Sequence, residues 1–343
     1  MKIAFTGDVV FSGYFANMES QSSVLDEKIV SFLSDTDHCI CDIEGPIISG
    51  QEITHKVAIR SLPQIYGFLK RINGDILCLG NNHILDYGNK GLCETLEFSK
   101  KNHLQTIGAG KNIDDASKEL ILSNEVGLLS IRYFNKHDRA TRLESGCLIW
   151  DEDGIIKERI KTIKKNCRWC VLVIHGGDEF CPMPFPDVRK RYLKFLEWGA
   201  DIIVGHHPHV VQNYEILGEK IIFYSIGNFV FDDEYMRTQQ EAKIGVLLKI
   251  DFQNDGYLWT HLPICIDGDS HKISETEKPA IFRDIQESEY IQSVPGLIKE
   301  FKRKERINLR YCLKRTDIGL KAKIRIIASH LKRYFKIERR GKM

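Results

Sequence analysis

Six times along this chain a short apolar run breaks off into a turn built from Gly, Asp, Asn, Glu and His, and that punctuation restricts the fold more than any other feature. The turns are Gly7-Asp8; Asp42-Ile43-Glu44-Gly45-Pro46; Gly80-Asn81-Asn82-His83 with Asp86-Tyr87-Gly88; His175-Gly176-Gly177-Asp178-Glu179; Gly205-His206-His207-Pro208-His209; and Ser225-Ile226-Gly227-Asn228. The runs before them read as strands, within a set at Lys2–Thr6, His38–Ile43, Asp75–Leu79, Gly127–Arg132, Trp169–Ile174, Asp201–Val204, Lys220–Tyr224, Lys243–Asp251 and Leu258–Ile266. Apolar residues at three- and four-residue spacing place helices over Ser23–Leu33 (Ser22 or Ser23 as N-cap), Pro63–Ile72, Lys90–Lys101 and Asp187–Trp198. Strands alternating with helices give an α/β class. In such sheets ligands collect beyond the carboxyl ends of the strands, so six polar turns point to one shared site.

The residue types in those turns name a chemistry. Three imidazoles within four positions, His206 to His209, are costly to explain as packing and natural where they share a cation. Together with carboxylates and an Asn carbonyl they form a mixed oxygen and nitrogen set suited to Mn, Zn or Fe rather than Ca. A carboxylate such as Asp8 or Glu44 can bridge two ions, which points to one or two divalent metals and a water activated to attack phosphorus or a carbonyl. His83, next to the ligand candidate Asn82, is placed to protonate a leaving oxygen or to stabilise developing charge.

At these residues the chain resembles the CapA capsule synthesis family, linked to poly-γ-glutamate capsules, within the metallo-dependent phosphatase superfamily. The matching pieces are Gly7-Asp8, the Glu44 segment, Asn81-Asn82-His83 with Asp86-Tyr87-Gly88, His175-x-Gly177-x-Glu179, His207-Pro208-His209-Val210-Val211-Gln212, and Tyr224-Ser225-Ile226-Gly227-Asn228-Phe229-Val230-Phe231. They stand in family order over roughly residues 1–265. The resemblance implies a four-layer α/β/β/α sandwich of the metallo-dependent phosphatase type. It implies Asp8, Glu44, Asn82, His175, His207 and His209 as metal ligands, and Lys56 and Arg60 as grips for a substrate anion. Since 207 and 209 match the family's histidine pair, His206 is not expected among the ligands. Glu179 is either catalytic or an orienting partner of His175, and Asn228 either binds substrate or closes the pocket. The chain departs from the wider superfamily in having no histidine in Asp8-Val9-Val10 and Glu44 where Asp is usual, and from the family in Gly176, where Trp is more often found.

Charge divides the chain. Residues 299–343 hold 17 Lys and Arg against 4 Asp and Glu, an excess of 13 positive charges; with a net charge of +2 overall, the remainder carries 11 negative. A turn to polar composition around Asp267–Glu277 ends the catalytic domain, giving 1–268 and a basic, helical extension over 269–343. In that extension Leu320, Ile324, Ile327, Leu331 and Tyr334/Phe335 form an apolar stripe among cations, suited to an anionic membrane surface, a polyanion or docking on the body. The acidic body and the lack of a Gly-rich nucleotide loop exclude nucleic acid as a specific partner. Cys167-Arg168-Trp169-Cys170 has no second pair and reads as two packed thiols. With no signal-peptide core and no membrane span, the expected residence is cytoplasmic, with peripheral contact at the inner membrane face open to the basic extension. The expected function is a metal-dependent, phosphoesterase-like hydrolase in capsule or surface-polymer biosynthesis, acting on an anionic polymer or a phosphorylated precursor. The alternatives are a scaffold or polymer-binding subunit of a membrane synthase, and an amide hydrolase or transferase on a γ-glutamyl polymer.

Overall fold

A computed structural model describes residues 1–17, 24–49, 58–133, 136–231, 236, 239–277, 281–314 and 327. Two large mixed sheets make up most of it. The eight-stranded sheet runs β16 (Ile273–Glu275), β15 (Gly256–Ile266), β14 (Ile244–Gln253), β1 (Lys2–Val10), β2 (His38–Ile43), β3 (Gly74–Cys78) and β4 (Gln105–Ile107), with β13 (Asn228–Phe231) on β1. β14 is antiparallel to the first half of β1 and β13 parallel to its second half, which leaves a bulge at Asp8–Val9. The six-stranded sheet runs β11 (Tyr214–Leu217), β12 (Lys220–Phe223), β10 (Ile202–His206), β9 (Trp169–His175), β7 (Val126–Arg132) and β6 (Leu120–Leu122). A short pair, β5 (Ala109–Gly110) and β8 (Gly146–Cys147), stands apart.

Alternation along each strand assigns side chains to opposite faces. Ile3, Phe5, Ile40 and Ile76 of one sheet meet Leu128, Val171, Val173 and Val204 of the other in a shared apolar layer. The opposite face of the eight-stranded sheet, with Ala4, Cys39, Cys41 and Leu77, is covered by α1 (Gly13–Asn17), α2 (Glu27–Ser34), α3 (Ile65–Arg71) and α4 (Gly88–Lys101) through Phe15, Ile29, Leu33, Phe68 and Leu92. α5 (Ile113–Ala116) is a single turn capped by Asn112. The outer face of the six-stranded sheet is covered by α6 (Asp153–Asn166), α7 (Pro186–Glu197) and α8 (Glu287–Lys314) through Ile156, Ile160, Phe195 and Leu297. Burying a large side chain in such a layer contributes about 1.5–3 kcal/mol, so the paired sheets hold each other in register.

The nine expected strands all occur, most within one or two residues of their expected bounds, but β1 continues to Val10 and β10 to His206. The helix expected from Ser23 begins at Glu27 after Asp26, and Ser22 and Ser23 lie outside the described residues. Cys167 and Cys170 are buried free thiols beside α6 and α7, as packed thiols should be. Of the apolar stripe at 320–335 only Ile327 is described. Among the described residues no helix is long and apolar enough to cross a membrane.

Candidate metal centre

The site forms where the carboxyl ends of the two sheets face each other. Two glycines allow the close approach. A Cβ at Gly7 would sit 2.3 Å from the Gly227 carbonyl oxygen, and one at Gly205 would sit 2.1 Å from that of Tyr224. These gaps bring β13 against β1 beside Asp8, and the Tyr224 backbone against β10 beside His206. Beyond β10 the chain turns through two left-handed residues, His207 at φ 91° and His209 at φ 57°. Such backbone costs a non-glycine residue on the order of 1–3 kcal/mol and persists where surrounding contacts over-determine it.

The eight-stranded sheet brings oxygens. Asp8 (β1), Asp42 (β2) and Glu44, just past β2, are fully or almost fully buried, and Asn82 follows β3 half-buried. The six-stranded sheet brings imidazoles: His175 ends β9, His206 ends β10, and His207 and His209 follow. They interlock across the cleft. Asp8 accepts from the His207 backbone N–H at 3.2 Å and lies 3.0 Å from His206 Nδ1 and 3.2 Å from His209 Nδ1. His175 places Nδ1 at 2.8 Å from Asp42 and Nε2 at 2.8 Å from the Asn82 amide oxygen. Ligand atoms of Asp8, Glu44 and His209 lie within 4.8 Å of one another, as do those of Glu44, His175 and His207, and those of Asp8, Asp42 and His175. The first two sets share Glu44.

Glu44 is the anomaly that defines the centre. Both of its oxygens are buried without a hydrogen-bond partner, with His83, His175 and His209 nitrogens at 3.6, 3.7 and 4.0 Å from Oε1. His207 Nδ1 is also buried and unpartnered. A buried carboxylate costs several kcal/mol unless a positive group compensates it. Oxygens and imidazole nitrogens converging on one point fit a divalent transition ion.

At Asp8, His175 and His207 the electrostatics agree with that fit. Burial alone would lift Asp8, but hydrogen bonds with His206 and His209 hold it well below the ordinary carboxylate range. Burial raises Glu44 and carries Asp42 up to about 8. Burial also drives His175 down to about 4 and His207 to about 3, so both imidazoles are neutral near pH 7 and keep a lone pair to donate. For His209, burial opposes the charged form, but the Glu44 charge and the Asp8 hydrogen bond outweigh it and take the ring up to about 10.

Around this core stand the other expected residues. His83 has Nδ1 at 2.7 Å from Asp86, which also accepts from the Ile59 N–H at 2.8 Å. Burial resists a charge on His83, but the Asp86 hydrogen bond and the Glu44 charge raise its pKa. Arg60 adjoins Ile59, whose carbonyl packs on Gly45, the neighbour of Glu44. Its Nη1 is buried without a hydrogen-bond partner, and its guanidinium carbon lies 5.8 Å from the centre of the Tyr87 ring. Glu179 is exposed, yet its carboxylate lies within 4.8 Å of His207 and His209 ligand atoms. Asn228 is 1% exposed and stands behind His209, with Oδ1 at 3.0 Å from Nδ1 and its amide donating to the Ala242 carbonyl. Lys56 lies outside the described residues.

Sequence reasoning offered Glu179 as an orienting partner of His175 and left His206 without a task; the structure sets Asp42 on His175 and Asp8 on His206, with Glu179 beside His207 and His209. The signal for Asp42 was its i, i+2 relation to Glu44, which sets both on one face of an extended chain. Asn81 was also passed over as a scaffold. Its oxygen accepts from the Gly45 and His83 backbone and its amide donates to the Ile43 carbonyl, fixing the turn that presents Asn82.

Known proteins similar to this chain match the part of it that builds this site. The family described as bacterial capsule synthesis protein PGA_cap matches residues 2–233, a span that contains every side chain of the cluster. A capsule biosynthesis protein CapA from Bacillus anthracis is 27% identical over 302 residues, covering 83% of this chain and 72% of that protein. A PGA biosynthesis protein CapA from Bacillus subtilis (strain 168) is 30% identical over 260 residues, covering 73% and 68%. A probable polyglutamine synthesis accessory protein from Mycobacterium tuberculosis is 23% identical over 215 residues, covering 58% and 57%.

Proposed function

The chain belongs to the bacterial capsule synthesis protein family, and from that premise we propose that it is a metal-dependent, phosphoesterase-like hydrolase that serves the making of a surface polymer. The observation that carries the proposal is Glu44, a buried carboxylate with no hydrogen-bond partner where oxygens of one sheet meet imidazoles of the other. We read the two sheets and their helical covers as the four-layer sandwich of the metallo-dependent phosphatase type.

Asp8, Glu44, Asn82, His175, His207 and His209 are the residues that would hold Mn, Zn or Fe. Bound there, such an ion supplies Lewis acidity and lets a water lose its proton near neutral pH. Asp42 fixes the tautomer and tilt of His175, and Asn228 those of His209, as partners of ligating histidines do. His83, tied through Nδ1 to Asp86, keeps Nε2 for delivering a proton to the leaving oxygen. Arg60 binds the anionic group next to the scissile bond through its unpartnered Nη1, stiffened by the neighbouring Tyr87 ring. Glu179, at the exposed edge of His207 and His209, faces the entry side. The substrate class is an anionic polymer or its phosphorylated precursor, and cytoplasmic residence remains part of the proposal.

The test combines metal analysis with turnover. Wild type reconstituted with Mn or Zn should retain transition metal after desalting and hydrolyse bis(p-nitrophenyl) phosphate or p-nitrophenyl phosphate. His83→Gln should retain the metal while losing on the order of 10²–10⁴ in rate. Wild type that retains no metal, or retains it and cleaves neither ester, would overturn the reading.

A further inference from the structure

We propose that Glu179 is the solvent-side ligand of the metal centre and the one that an incoming phosphoryl group displaces. The proposal rests on the reading of this centre as a transition-ion site for phosphoesters. Ligand atoms of Glu179, His207 and His209 lie within 4.8 Å of one another. Each imidazole also belongs to one of the two sets that share Glu44, His209 with Asp8 and His207 with His175. Two ligands bonded at about 2.0–2.2 Å sit up to about 4.4 Å apart across an ion, so Glu179 needs to close only a fraction of an ångström. Beside it, His207 Nδ1 is buried without a hydrogen-bond partner.

The loop that carries Glu179 is built onto the histidine turn. β9 ends at His175, and beyond it the Phe180 N–H donates to the Pro208 carbonyl at 2.8 Å. The Phe180 ring packs with Val210 and Ala242, 6.0 Å from the His209 ring, and the Cys181 carbonyl accepts from the Gln212 amide at 2.8 Å. Phe180 is held at φ 56°, a left-handed backbone that a bulky residue adopts only where its contacts enforce it. Those contacts fix the Glu179 backbone beside His207 and His209. Among the described residues its carboxylate makes no hydrogen bond or ion pair.

Exposure sets Glu179 apart from the other candidates. Asp8, Asp42, Glu44 and His175 are buried, whereas Glu179 is the exposed member of these ligand sets. It is also an oxygen donor on the imidazole side of the cleft. An exposed carboxylate leaves an ion at little cost, because water solvates its charge once it is released. The phosphoryl oxygens of an incoming substrate are the same kind of donor and take its place. Until then Glu179 keeps a negative charge at the mouth and lowers the apparent affinity for an anion.

The experiment uses the full chain, stripped with EDTA and desalted, with Co2+ as the metal probe and inorganic phosphate as the anion. Visible absorption reports the Co2+ ligand set, and competition with a chelator gives the affinity. Glu179→Gln should change the spectrum and weaken Co2+ binding on the order of 10–100-fold, the range that loss of a ligand's outer partner already spans. At saturating Co2+, phosphate should shift the spectrum of Glu179→Gln at about tenfold lower concentration than that of wild type, because no carboxylate has to leave first. Asp178→Asn removes the same charge one residue away and should weaken Co2+ binding less than about fivefold. Since Glu179 is exposed, Glu179→Gln should keep the wild-type denaturation midpoint in EDTA, and a lowered midpoint would make Glu179 a structural residue instead. An unchanged spectrum and affinity in Glu179→Gln, an equal loss in Asp178→Asn, or phosphate acting no more readily would overturn the proposal and leave the metal centre standing. Wild type that binds no Co2+ would overturn both.

Discussion

The two sheets contribute unlike halves to one centre. From the eight-stranded sheet come Asp8, Asp42, Glu44 and Asn82, all oxygen donors; from the six-stranded sheet come His175, His206, His207 and His209, all imidazoles. Neither half is stable as a buried cluster alone. Three carboxylates together repel one another, and packed imidazoles facing an apolar layer lose their hydration. Facing each other, they neutralise most of that cost and leave one carboxylate, Glu44, without a hydrogen bond, its Oε1 at 3.6, 3.7 and 4.0 Å from nitrogens of His83, His175 and His209. The lesson is that the centre is an interface property, and mutations on the two sides should differ in sign when no metal is bound.

Removing the nitrogen side has the largest effect. His207→Ala with His209→Ala should abolish retained metal and also destabilise the ion-free protein, by about 3–5 kcal/mol, because Asp8 loses the buried partner 3.2 Å away. Elemental analysis and chemical denaturation in EDTA check both. Removing the oxygen corner should also abolish metal-induced stabilisation, but with the opposite ion-free effect. Glu44→Gln relieves a buried carboxylate that has no hydrogen-bond partner and whose pKa burial raises, and should leave the EDTA-treated protein more stable, by about 1–3 kcal/mol. If both variants shift the ion-free midpoint the same way, the division into unlike halves is wrong.

A finer break lies between the halves, at the 2.8 Å contact of Asp42 with His175. Asp42→Asn keeps the shape and removes the carboxylate, so metal affinity measured by competition with a chelator should fall about 10–100-fold. An unchanged affinity would make Asp42 a filler. The smallest effect belongs to the outer cover of the imidazole-bearing sheet, where Asp153 of α6 pairs with Arg191 and Lys194 of α7. Partial burial would raise this carboxyl, but hydrogen bonds from Arg191 and Lys194 outweigh it and lower the pKa. A lowered folded pKa gives stability that is present above the unfolded value of 3.8 and lost as pH falls through the folded one. Asp153→Asn should therefore cost under about 1 kcal/mol near pH 7, with the difference from wild type vanishing in acid and metal content untouched.

Local pattern made much of the fold legible. Strands such as His38–Ile43 carry their own period-two alternation and sit where expected. One long helix, α6, escaped notice, and another, α8, fell inside the extension expected to be helical. α6 opens on Asp153-Gly154, which reads as a turn, and its preceding Glu152 makes no side-chain cap. α8 contains Pro295-Gly296, two residues that argue against a helix interior, yet it continues through them with Tyr290, Leu297 and Phe301 packed on the body. Tertiary burial outweighed local propensity there.

By itself the sequence determined which groups exist and in what order they emerge: six polar turns after apolar runs, with Asp8, Asp42, Glu44 and Asn82 ahead of His175, His206, His207 and His209. That information is local, because strand alternation and turn chemistry are set by neighbours in the chain. The tertiary structure alone decided which nitrogen faces which oxygen. Asp8 meets His206 across 198 residues of chain, and Asp42 meets His175 across 133. Such pairings depend on how the two sheets register through their shared apolar layer, a long-range packing outcome that no window of sequence encodes. Glu44 shows the difference most plainly: its carboxylate was visible from the start, but only the folded protein buries it without a hydrogen bond, among three histidines.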